Sequence, residues 1–194
     1  MKFILGLTGQ TGSGKSTLHS VACEKGFYVI DCDKVAHCVL AENEQLKMAL
    51  HKAFGDILTG DKIDRKKLAA KAFSSKENTE LLNKITLPFI TDEINGIIEK
   101  EKNEYIMLDA PTLYESGADS ICDFVVALLA NEEIRKKRII ERDNISVEAA
   151  ELRLSAAKND DFYIEKANRV IYNNGSIEEY QQSFKKILEE ITEE

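Results

Sequence analysis

The chain is 194 residues long and 43% apolar, with only two prolines and ten glycines. At roughly 150 residues per domain that length makes one domain, 1–194, and no Pro-, Ser- or Gln-rich stretch marks a disordered linker. The formal net charge of −8 argues against nucleic acid as a partner, because a binder needs a basic face to displace counterions from phosphates.

The chain opens Met1-Lys2-Phe3-Ile4-Leu5 and breaks at once into Gly6, Thr8 and Gly9. That run is too short for a signal-peptide core or a membrane span, so a cytoplasmic protein without a membrane partner is expected. Residues 3–7 read as a buried first strand ending at Gly9. Residues 16–25 read as a helix closed by Gly26 at C′. Residues 27–30 form a β-prone run that ends in Asp31 and Asp33. Strand, glycine loop, helix and strand make a βαβ unit, which demands a parallel sheet.

Residues 34–102 read as helical, with Asp64 able to cap a helix over 65–73 and Pro88 interrupting the run. Residues 105–108, 124–129 and 170–172 read as three further strands. Asn131 is placed to cap a helix through Arg142, and Ser146 to cap the next. Ser176 with Glu179 forms a capping box, after which Ile177, Tyr180, Phe184, Ile187, Leu188 and Ile191 recur at helical spacing. The predicted architecture is α/β, a five-stranded parallel sheet with helices on both faces. The acidic end, Glu189, Glu190, Glu193 and Glu194, reads as a solvated helix terminus. The cysteines at 23, 32, 38 and 122 contain no C-x-x-C pair, which favours buried free thiols over a zinc site.

The strongest motif is Gly9-Gln10-Thr11-Gly12-Ser13-Gly14-Lys15-Ser16-Thr17, a full G-x-x-x-x-G-K-[ST]. Its glycines allow a tight turn whose N–H groups point inward at phosphate oxygens, and the helix after it adds a positive dipole end. Lys15 suits the β- and γ-phosphates of ATP, and Ser16 suits Mg²⁺. Thr17 either contacts an α-phosphate or packs. The motif follows a strand and opens a helix, which is the context it requires.

Three acids stand at strand ends, where ligands bind in open α/β sheets. On an extended segment Asp31 and Asp33 point the same way, so both can face such a site. Asp33 is either a base toward an acceptor hydroxyl or a helix cap. Asp109 is either a reach to Mg²⁺ or a turn residue before Pro111. Arg135, Arg138 and Arg142 fall within about 60° of one helix face. They suit either phosphate gripping from a lid helix or a solvated face paired with Glu132 and Glu141.

With the loop, the Ile-Asp-Cys-Asp segment at 30–33, Phe54-Gly55, Asp64-Arg65, Pro111-Thr112-Leu113-Tyr114-Glu115, the Arg138 and Arg142 spacing and Asn173-Asn174-Gly175, the chain resembles the dephospho-CoA kinase family nearly end to end. The resemblance implies a three-layer P-loop kinase fold, ATP and Mg²⁺, and phosphorylation of the 3′-hydroxyl of dephospho-CoA. It implies Asp33 as the base and Arg138 and Arg142 in a closing lid at about 112–145. It also implies a helical acceptor-binding subdomain over 34–102, with Arg65, Pro88, Leu113 and Glu115 joining Asp33 on the acceptor side. Lys15 and Gly9, Thr11, Gly12, Ser13, Gly14, Ser16 and Thr17 hold the nucleotide, and Ser16, Asp31 and Asp109 are the metal candidates. Gln10, Leu87, Thr112, Arg135, Ala157 and Asn168 depart from the family pattern, mostly outside the nucleotide loop. The alternatives are a P-loop kinase for another hydroxyl acceptor and a nucleotide-binding switch. A GTPase switch would normally offer N-K-x-D, and Asn83-Lys84 is followed here by Ile85 and Thr86.

Overall fold

The computed structural model describes residues 2–193, and the chain forms two compact units. One holds the residues up to Ile30 and from Lys102 onward; the other is Asp31–Glu101. Met1 and Glu194 lie outside the described residues.

In the first unit β1 (Phe3–Gly9) leads through the motif loop and a 3-10 turn (Lys15–Thr17) into α1 (Leu18–Glu24) and β2 (Tyr28–Asp31). The second unit supplies α2 (Cys32–Glu42), α3 (Glu44–Phe54), the strands β3 (Leu58–Thr59) and β4 (Lys62–Ile63), α4 (Arg65–Ala72) and α5 (Lys76–Lys100). The first unit resumes with β5 (Tyr105–Asp109), α6 (Leu113–Ser116), β6 (Phe124–Leu129), α7 (Glu132–Asp143), α8 (Val147–Ser155), α9 (Asp160–Ile164), β7 (Arg169–Tyr172) and α10 (Ile177–Glu193). The sheet order is β2-β5-β1-β6-β7, and β1 runs parallel to both β5 and β6.

Alternation of side chains along the central strands gives the sheet two apolar faces. Leu5, Leu7, Met107, Val126, Leu128 and Ile171 pack against Leu18, Val21 and Ala22 of α1 and Tyr180, Phe184 and Leu188 of α10. On the other face Ala127 and Leu129 meet Tyr163 of α9, with Tyr114 and Phe162 beside it. A Cβ on Gly6 would stand 2.8 Å from Leu113 Cδ2, so the missing side chain lets α6 close on β1. The fold therefore has the three layers expected.

Helix α10 shows what sequence periodicity can and cannot fix. The capping box is present in both directions, each bond 3.3 Å long. Ile177 shares the stripe's angle but is 51% exposed, because the core against which α10 packs starts at Tyr180. Glu189 is tied to Lys25 at 2.7 Å, while Glu190 and Glu193 are exposed.

Several expectations are corrected. Pro88 does not interrupt the helix: α5 runs unbroken from Lys76 to Lys100 around it. Its interior cost of about 3 kcal/mol is offset by Leu82, Ile85, Phe89 and Ile90, which pack on the second unit's core. The 34–102 stretch is not all helix, since Gly60 and Asp61 turn the β3–β4 hairpin between Thr59 and Lys62. Asn131 stands at the N-cap of α7 without a side-chain capping bond; its N–H instead donates to Asn174 Oδ1 at 2.7 Å. Cys23 and Cys38 are exposed rather than buried, because they lie on the outward sides of α1 and α2. Burial pushes the Cys122 thiol up to about 12. Among the described residues no helix is long and apolar enough to cross a membrane.

Candidate active site

The phosphate loop is built by close backbone approaches that exclude side chains. A Cβ on Gly9 would lie 2.1 Å from Leu128 O, and Gly9 has φ +140. Gly14 has φ +98, and a Cβ there would stand 2.8 Å from Asn173 Nδ2. The loop folds on itself through Ser13 N–H to Gln10 O at 3.1 Å and Thr17 N–H to Gly14 O at 3.3 Å. Lys15 Nζ donates to Gly9 O at 3.3 Å, which lays the ammonium across the loop's mouth. Ser13 is buried with its Oγ unpartnered, Thr11 is half-buried and Ser16 exposed. Thr17 donates to Gly14 O at 2.8 Å and touches the Tyr180 hydroxyl; of its two readings, these contacts are those of packing.

Side chains from α7, α9, α10 and the segment after β7 brace the loop. Asn173 Nδ2 donates to Ser13 O at 2.7 Å. Arg138 reaches Ser13 O at 3.3 Å, Gly12 O at 3.5 Å and Asn173 Oδ1 at 3.2 Å. Gln10 is 1% exposed and donates to Asp160 Oδ1 at 2.8 Å, so it fills the space beside α9. Gln181 Nε2 donates to Thr17 O at 2.9 Å.

The arginine stripe divides. Arg135 is buried, with Nε on Ala130 O at 2.9 Å. Arg138 lies on the loop. Arg142 is turned outward and held by Asp143 at 2.7 and 2.9 Å. Of the two readings, pairing with Glu132 and Glu141 is not seen among the described residues: Arg142 takes Asp143, and Glu141 pairs with Lys137 at 4.0 Å. The Arg142 and Arg153 guanidiniums hold the Asp143 carboxyl down to about 2.

Asp109 ends β5 in register with Leu7. It is buried, its Oδ2 lies 2.6 Å from His19 Nε2, and its Oδ1 has no partner. A buried orphan carboxylate oxygen and the exposed Ser16 hydroxyl are hard oxygen donors of the kind Mg²⁺ takes. Burial pushes the Tyr114 and Tyr163 hydroxyls up to about 12, so both stay protonated.

In the second unit Asp31 and Asp33 do not share an extended segment. Strand β2 ends at Asp31 and helix α2 begins at Cys32, so the spacing of two no longer aligns the carboxylates. Asp31 is the cap: its Oδ1 accepts from Lys34 N at 3.0 Å and its Oδ2 pairs with Lys34 Nζ at 2.9 Å. Both of its carboxylate oxygens thus have a partner within the first turn of α2. Asp33 is an exposed residue of the first turn and is not the cap. A cavity of about 460 Å³ is lined by His37, Leu40, Arg65, Phe73, Leu82 and Thr86 among others. Arg65 Nη2 and His37 Nε2 stand 2.7 Å apart at its wall. Pro88 and Leu87 are not among the lining residues. Leu113, in the first unit, is a core residue at 0% exposure, spent on packing over Gly6; Glu115 is exposed.

Sequence reasoning gave no role to His19, Asn173 or Gln10. Asn173 carried a signal in the Asn-Asn-Gly after the last strand; the His19–Asp109 pair, 90 residues apart, carried none.

A sequence profile of dephospho-CoA kinase matches residues 3–179. A dephospho-CoA kinase of Fusobacterium nucleatum is 36% identical, with 97% of this chain and 98% of the relative covered. The solved dephospho-CoA kinase of Campylobacter jejuni superposes with a TM-score of 0.72 at 32% identity, covering 100% of this chain and 98% of that one. A solved Thermus thermophilus protein, TT1252, superposes with a TM-score of 0.84 at 27% identity, covering 97% of both chains.

Proposed function

The chain belongs to the dephospho-CoA kinase family, and on that premise we propose that it transfers the γ-phosphoryl group of ATP to the 3′-hydroxyl of dephospho-CoA, giving CoA and ADP. The observation that carries this is the braced loop from Gly9 to Thr17, with its buried unpartnered Ser13 hydroxyl and its lysine across the mouth.

Phosphoryl transfer asks a protein mainly for positioning and charge. The acceptor oxygen forms a bond to the γ-phosphorus as the bond to the β,γ-bridging oxygen breaks, and the electron pair leaves with ADP. The loop's N–H groups and Lys15 hold the phosphates where negative charge builds on the leaving side. Arg138 fixes the loop's outer carbonyls, and Arg142 stands further along the same helix within the lid region. Asp33 takes the hydroxyl proton late in the transfer. Acceptor binding falls to the second unit, where Arg65 supplies a guanidinium at the wall of an apolar cavity. Ser16 and Asp109 would hold Mg²⁺, which supplies charge neutralisation at the phosphates.

Purified protein with Mg²⁺-ATP is expected to release ADP rapidly only when dephospho-CoA is added. Equal release in water alone would mark an ATPase or switch. Turnover with a different hydroxyl acceptor, and none with dephospho-CoA, would mark another small-molecule kinase.

A further inference from the structure

The two carboxylate oxygens of Asp109 have different surroundings. Oδ2 is engaged by His19 Nε2 at 2.6 Å, and Oδ1 is buried without any partner. A buried anionic oxygen left alone is unfavourable, so the arrangement is completed by something that Oδ1 can bind. Asp109 lies beside Leu7 in the sheet, two residues before the loop begins at Gly9. His19 lies on α1, and Ser16 lies in the 3-10 turn that leads directly into that helix. The same short segment thus carries the Ser16 hydroxyl and the imidazole that grips Asp109.

We propose that His19 is a positioning residue for the divalent cation: it holds Oδ2, fixes the Asp109 rotamer, and leaves Oδ1 as the ligand oxygen. The proposal rests on the reading of Asp109 as a Mg²⁺ ligand. Carboxylate ligands are commonly oriented by such an outer hydrogen bond, and losing the orienting partner typically costs about 10–100-fold in metal affinity. The competing role is mechanical, a staple between α1 and β5 that serves stability and nothing else.

The two roles separate in ADP binding to the full-length protein, measured by calorimetry in Mg²⁺ and in EDTA. His19→Leu is expected to lose about 10-fold or more of the Mg²⁺-dependent gain in ADP affinity, while its affinity in EDTA stays at the wild-type value. His19→Gln, whose amide N–H can take the place of Nε2, is expected to restore most of the gain. In an Asp109→Ala background His19→Leu should add no further loss, since the two act as one unit. If His19→Leu fails to fold, His19→Asn, too short to reach Oδ2, makes the same comparison. A His19→Leu protein that keeps the full Mg²⁺ gain while Asp109→Ala loses it would overturn the proposal alone. Equal losses in Mg²⁺ and EDTA would assign His19 the staple role. An Asp109→Ala protein that keeps the gain would overturn the metal reading and the proposal with it.

Discussion

Replacing Asn173 by alanine tests how far one buried side chain holds the phosphate loop in shape. The side chain is 1% exposed. It donates to Ser13 O at 2.7 Å and accepts from Arg138 Nη2 at 3.2 Å. The first is a neutral bond, about 1 kcal/mol net; the second is charge-assisted, about 1.5–3 kcal/mol. Ser13 O keeps its bond from Arg138 Nη1 at 3.3 Å, so it is not wholly orphaned. The expected loss is therefore about 2.5–4 kcal/mol of stability. For a chain of this length that lowers Tm by roughly 5–15 °C in calorimetry. ADP affinity should fall about 10-fold or more, because some 1.4 kcal/mol of the loss is preorganisation of the loop that binding must restore. A variant melting within about 2 °C of wild type and binding ADP as tightly would refute the bracing role.

Three other substitutions have defined outcomes. Asp33→Asn should lower kcat by about 10²-fold or more, the scale of general-base assistance, with ATP affinity nearly unchanged; steady-state kinetics with ATP and acceptor varied in turn would expose normal turnover if Asp33 is only a helix residue. Gly9→Ala places a Cβ 2.1 Å from Leu128 O, so destabilisation should reach roughly 4 kcal/mol or more, seen as insoluble expression or a collapsed melting temperature; a wild-type melt would contradict the close approach. Asp143→Asn should lower the melting temperature at neutral pH. Its folded pKa is held down from 3.8 to about 2, first by the Arg142 hydrogen bond. A depressed carboxyl stabilises above its unfolded pKa and loses that contribution as pH falls through the folded one. The gap between variant and wild type should therefore close between about pH 4 and pH 2, and a gap that stays constant to pH 2 would show that charge plays no part.

Sequence reasoning reached furthest where local chemistry dictates backbone. The G-x-x-x-x-G-K-[ST] motif requires a strand before it and a helix after it, and β1 and α1 stand there. The run from Phe124 to Leu129 is buried on both faces of a central strand, so its bounds were legible as a continuous apolar stretch. The Ser176–Glu179 box located the start of α10 by its own hydrogen bonds. Errors arose where a pattern has more than one solution. Helical spacing placed Arg135, Arg138 and Arg142 at one angle, yet angle does not fix depth. Arg135 turns inward to Ala130 O, Arg138 lies on the loop, and Arg142 finds Asp143 in the next position. Asp31 and Asp33 would share a face only on backbone that stays extended past Asp31, and α2 begins at Cys32. Gly60-Asp61 is a two-residue hairpin signal inside a stretch otherwise rich in helix formers. Pro88 reads as a breaker until the apolar residues around it are seen to pack. The His19–Asp109 and Arg65–His37 pairs depend on tertiary approach, which no local pattern encodes.

The most direct measurement follows the γ-phosphoryl group itself. With γ-labelled ATP, Mg²⁺ and dephospho-CoA, the label should leave ATP and appear as a phosphate ester on the 3′-hydroxyl, with the product identified as CoA by phosphorus NMR and mass. Label recovered as inorganic phosphate, or on another hydroxyl of the acceptor, would contradict the proposed reaction.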